Sequence, residues 1–168
     1  PDYSSKDDVF KDIYDNLKEM RNYSGFSNPG YKLACDFFIP SKNLIIEYDE
    51  RQHFTEQRAK SLAHYPPNPN RGFDKDKWRA ACENIKATDN DPPYRDEQRA
   101  FYDSVRDILA ARNGIPLIRI KHGDYDWKSA SGTVVIDELI NPLNLDTDAS
   151  NLETAIEELA WDFSCVQK

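Results

Sequence analysis

The chain has 168 residues, of which 39% are hydrophobic and 31% charged, with a formal net charge of −8. That length supports one domain with its own core, and no apolar run approaches the roughly 18 residues of a membrane-spanning helix. Residues 1–121 hold 20 basic and 20 acidic side chains, while residues 122–168 hold 2 and 10, so the imbalance that would repel nucleic acid sits wholly at the C-terminal end and the rest is free to carry a basic face.

The opening residues show no basic n-region followed by an apolar h-region, so no signal peptide is expected. Ser4-Ser5 can cap a helix with Asp7 and Asp8 in its first turn. Val9, Phe10, Ile13, Leu17 and Met20 follow at helical spacing, which predicts a helix over 6–21. "NYSGFSNPG" reads as a loop. "YKLACDFFIP" (31–40) and "NLIIEYDE" (43–50) are strand-like runs separated by Ser41-Lys42, which predicts a hairpin. Residues 54–95 read as a long insertion of two Pro-rich loops with a short helix, "DKDKWRAACENI", between them. "RDEQRAFYDSVRDILAAR" is a helix with the apolar stripe Phe101, Val105, Ile108 and Leu109, ended by Asn113-Gly114. "IPLIRIKHG" is a buried strand, and "TVVIDELINPLN" and "NLETAIEELAWDF" are two further helices.

A helix joining a hairpin to a later strand is a βαβ-type crossover. The expectation is an α/β fold, a mixed sheet with helices on both faces. It divides as a core over 1–125 and an acidic helical extension over 126–168, packed on that core. Cys35, Cys82 and Cys165 are far apart and form no CxxC pair, which favours reduced thiols in an intracellular compartment, cytoplasmic or nucleoid-associated, and argues against a structural zinc site.

The chemistry concentrates in the hairpin. Asp36 lies in its first strand and Glu47 near the end of its second, eleven residues later. Paired strands can bring two such carboxylates to one sheet edge, where a hard cation such as Mg²⁺, with Mn²⁺ as substitute, relieves their repulsion. Acids at strand ends are commonly solvated, but Glu47 sits between Ile45-Ile46 and Tyr48, where a charge is costly without a partner. His53 suits proton transfer near neutrality.

These segments resemble the PD-(D/E)XK nuclease superfamily, in the branch of very-short-patch-repair-like and EDxHD phage homing endonucleases. The resemblance rests on "CDFFIP", "LIIEYDERQHF" and, after a helix, "NGIPLIRI", and covers about 31–54 and 103–120. It implies a restriction-endonuclease-like core and a DNA endonuclease that hydrolyses phosphodiester bonds. Asp36 and Glu47 then hold the metal, His53 is the base, Asp103 falls at the branch's final acid and Arg106 at the lysine of its helix. The N-terminal acid is Asp7 or its neighbour Asp8. Two positions depart from the pattern: Asp49 stands where most of the superfamily keeps a lysine, and Glu50 where relatives have glycine. Gln52, or Arg51 beside it, is a candidate for the work of the missing lysine.

Arg51, Arg58, Lys75, Lys77 and Arg79, with Tyr65, Phe73 and Trp78 interleaved, form a candidate DNA-contacting stretch; Arg106 joins them from the later helix. The expected partner is DNA, with a homodimer as one way to cut both strands. The competing readings are a catalytically weak nuclease-fold DNA-binding module and an accessory protein acting through its acidic C-terminal region.

Overall fold

A computed structural model describes residues 8–28, 31–67, 72–126 and 138–139. Helix α1 spans Asp8–Arg21, strand β1 Phe37–Ile39, β2 Leu44–Asp49, α2 Glu56–Ala63, α3 Lys75–Ile85, α4 Arg95–Arg112 and β3 Leu117–Lys121. Asp7 and most of the two expected C-terminal helices lie outside the described residues.

The hairpin forms with its strands antiparallel, Phe37 opposite Ile46. The turn is a 3₁₀ segment, Pro40–Lys42, closed by Asn43 in the left-handed region at φ 46°, which Asn tolerates better than most residues. Only Phe37–Ile39 of the expected first strand pairs with β2. β3 then lies parallel to β2, with Glu47 beside Arg119 and Asp49 beside Lys121. The sheet is mixed, in the order β1-β2-β3.

Strand alternation sorts β2 into two faces. Leu44 and Ile46 join Ile118 and Ile120 in one small apolar cluster, with Tyr48, Tyr125 and Leu139 packed against it. Ile45 and Leu117 belong to the large core instead, with Phe10, Ile13 and Leu17 of α1, Leu62 of α2, Trp78 and Cys82 of α3 and the apolar stripe of α4. Among the described residues, α1, α2, α3 and α4 cover one face of the sheet, and Leu139, one of two described helical residues further on, meets the other; helices on both faces were expected. The further buried residues on the side covered by α1 to α4, Glu47, Asp49 and Arg119, are charged.

Residues 54–95 do more than the expected insertion. Their helix α2, a stretch given no element from sequence, is capped by Thr55, whose side chain accepts from the Arg58 backbone N–H. Phe54, Leu62, Tyr65, Phe73 and Trp78 are all core residues. α3 begins one residue inside its expected span, with Asp74 accepting from the N–H groups of Asp76 and Lys77. α4 ends as its Asn-Gly signal predicts: Gly114, at φ +65°, lets Ile115 N–H reach Ala110 O at 2.8 Å.

Candidate active site

β2 carries Glu47 and Asp49 on the side that faces α4, and the chain then turns through a 3₁₀ segment, Arg51–His53. That turn folds His53 back towards the helix. α4 supplies Asp103, Arg106 and Asp107 from successive turns, and β3 supplies Arg119 between Ile118 and Ile120.

Asp36, Glu47, His53 and Asp103, far apart in sequence, come together. Asp36 Oδ2 accepts the Tyr48 backbone N–H at 2.8 Å, and its own N–H points to Glu47 Oε1 at 3.3 Å. Arg106 Nη1 donates to Glu47 Oε2 at 2.9 Å and to Asp103 Oδ1 at 3.0 Å. His53 Nδ1 lies 3.1 Å from Asp103 Oδ2 and 3.5 Å from Asp49 Oδ1. Asp36 and His53 also line one groove of about 840 Å³ with Phe37, Ile46, Tyr48 and Ile120.

The electrostatics separate two kinds of acid. Burial pushes Glu47 up to about 7; Arg106 and Arg119 oppose that rise, while Asp103 and Asp36 add to it. Asp103 is also buried, but there the pull of Arg119 and His53 outweighs desolvation and holds it well below the usual carboxylate range.

Behind the site lies a buried ion network that the residue pattern did not announce. Arg119 donates to Asp49 Oδ1 at 2.5 Å and, through Nη2, to Asp107 Oδ1 at 2.7 Å. Asp107 Oδ2 takes Arg58 Nη2 at 2.8 Å and the Tyr65 hydroxyl at 2.7 Å. The Trp78 indole N–H donates to Asp49 Oδ2 at 2.6 Å. Asp49 is thus fully engaged. A signal for Arg119 did exist: it is a charge inside an apolar strand, the same anomaly that singled out Glu47. For Trp78 there was none beyond an indole N–H that needs a partner once buried.

The expected DNA-contacting residues scatter. Arg58 is corrected to a core residue, 2% exposed and bound to Asp107; burying its guanidinium is tolerable because Asp107, Tyr65 and Ser104 accept from it. Lys77 is exposed and stands 3.8 Å from Asp124, and Arg79 stands 3.6 Å from Glu83. Arg51 is exposed and Lys75 half-buried. Gln52 turns its side chain to Glu50, while its carbonyl accepts Arg99 Nη1 at 3.1 Å.

Two oxygen-rich sets could hold a divalent cation. Asp49, His53 and Asp103 bring one ligand atom each to within 4.8 Å of one another. Their oxygens, however, already bind Arg119, Trp78 and Arg106, and a dication there would face two guanidiniums at hydrogen-bonding range. Asp36 and Glu47 fit better: both are hard oxygen donors, Asp36 is exposed, and although Arg106 holds Glu47 Oε2, burial still raises Glu47, a carboxylate that a bound cation would keep ionised.

Over residues 12–89 the chain is similar to a family of unknown function, DUF7255. No curated protein and no solved structure matches it. No helix among the described residues is long and apolar enough to cross a membrane.

Proposed function

We propose that the protein is a metal-dependent endodeoxyribonuclease of the PD-(D/E)XK kind, built on a restriction-endonuclease-like core. The observation that carries this reading is the His53–Asp103 dyad, 3.1 Å across, opening on the groove that Asp36 also lines.

The dyad gives His53 a defined task. With Nδ1 against a carboxylate, that nitrogen carries the proton and the opposite nitrogen, Nε2, is left to accept one from water. Asp103 keeps its charge and so stabilises the imidazolium that forms. Asp36 and Glu47 supply carboxylate oxygens to Mg²⁺ or Mn²⁺. When bound, that ion would neutralise charge growing on the scissile phosphate and acidify water. Arg106 balances Glu47 and Asp103, and it is the cation nearest to the role of the missing lysine.

The catalytically weak DNA-binding reading has one observation in its favour. Asp49 is spent in buried pairs with Arg119 and Trp78, so β2 offers no cation two residues past Glu47. Nicking of supercoiled plasmid separates the two. We expect Mg²⁺- or Mn²⁺-dependent nicking that Asp36→Ala abolishes. Folded wild-type protein that binds DNA but nicks none with either ion supports the weak-module reading, and full activity in Asp36→Ala removes the site assignment.

A further inference from the structure

The acid in the lysine position has a task of its own. Asp49 is 1% exposed, and such a carboxylate survives burial only when its oxygens are bound. Three groups from three different elements meet it. Arg119 of β3 holds Oδ1 at 2.5 Å, the Trp78 indole of α3 holds Oδ2 at 2.6 Å, and His53 Nδ1 stands 3.5 Å from Oδ1. Asp103 meets the same nitrogen from α4 at 3.1 Å. The imidazole is therefore bracketed by two carboxylates on one edge, leaving its other edge for the groove.

We propose that Asp49 and Trp78 are positioning residues for His53. Trp78 clamps the Asp49 carboxylate, and Asp49 with Asp103 fixes the ring with its proton on Nδ1. The role in catalysis rests on the nuclease reading; the geometry of the clamp does not. It also explains why a segment read as an insertion belongs to the site: α3 reaches His53 through one indole N–H. Trp78 is itself held by Phe73 and Phe54, with ring centroids at 5.4 and 6.5 Å, so the clamp has a rigid backing.

Several charges bear on the imidazole. Asp49 lies on β2, and Asp103 and Arg106 on α4. Arg119 of β3 stands 3.5 Å and Arg58 of α2 4.0 Å from Asp103. Glu50 and Asp36 line the groove beside His53. Only the clamp predicts shifts of opposite sign from two changes that share one site. Asp49→Asn removes a negative charge beside the ring and keeps its shape, so the His53 titration midpoint falls by about one pH unit. Trp78→Phe keeps a packed aromatic but takes a hydrogen bond from Asp49. The carboxylate is then freer to bind the imidazolium, and the midpoint rises by a few tenths of a unit.

The experiment is imidazole NMR titration of the full chain. It has three histidines, and His53 is assigned with His64→Gln and His122→Gln. Opposite shifts support the clamp, together with a fall in plasmid-nicking kcat of roughly tenfold at unchanged KM in Trp78→Phe. An unmoved midpoint in both variants overturns it. If wild-type protein nicks no DNA, the nuclease reading fails while the titration still decides the clamp. Should Asp49→Asn fail to fold, Trp78→Phe alone decides: a rise supports the clamp and an unmoved midpoint overturns it.

Discussion

Arg106 of α4 crosses to β2 and places one nitrogen, Nη1, 2.9 Å from Glu47 and 3.0 Å from Asp103. That single contact does not hold Glu47 ionised, because burial pushes its pKa up to about 7. Between about 4.5, the ordinary value, and 7, the folded protein binds more protons here than the unfolded chain does. Its stability contribution is present in full below 4.5 and is lost as pH rises through 7. In chelator, denaturant titrations should show the loss, up to about 3 kcal/mol, and Glu47→Gln should remove it. An equal pH slope in Glu47→Gln would exonerate Glu47.

His53→Ala should lower nicking by roughly 10²–10⁴-fold while circular dichroism shows the fold retained, since Arg106 still holds Asp103 and Arg119 still holds Asp49. Asp103→Asn should slow nicking too. It leaves a neutral amide that no longer stabilises the imidazolium.

Metal binding discriminates the two oxygen-rich sets. By calorimetry, Mn²⁺ affinity should drop in Asp36→Ala and in Glu47→Gln and persist in His53→Ala. Loss of binding in His53→Ala with retention in Asp36→Ala would move the ion to the Asp49–His53–Asp103 set. Because Glu47 must give up its proton to bind the ion, affinity should rise with pH up to and through about 7.

Arg58→Ala should destabilise the fold by about 1–3 kcal/mol in urea, because the buried Asp107 loses one of its two guanidinium partners, while Arg119 still holds Oδ1 and Tyr65 still holds Oδ2. Were Arg58 a DNA-contacting surface residue, the same substitution would leave the urea midpoint in place and weaken DNA binding only.

Much of the local structure was legible along the chain. Helical periodicity marked α1 and α4, the Asn-Gly pair marked the end of α4, and Ser41-Lys42 marked the hairpin turn, because these signals act within a few residues. Glu47 was legible too, as a charge inside an apolar strand. α2 was not. Its eight residues, Glu56–Ala63, bury only Arg58, Ser61 and Leu62, so it shows no apolar stripe. Its order comes from Thr55 capping it and from Arg58 finding Asp107.

By itself the sequence determined α1, the hairpin, α3, α4 and β3 in their order, the alternation that sends Ile45, Glu47 and Asp49 to one face, and the residue types available for a site. Tertiary structure alone decided how those charges pair. Asp49 meets Trp78 29 positions away and Arg119 70 positions away, and Arg58 meets Asp107 49 positions away. Charge pairing has no period and no local turn chemistry. It is set by which side chains reach each other after burial has made an unpaired charge too costly to leave. Asp49 therefore reads as a stray strand-end charge in one dimension and as one end of a buried ion network in three.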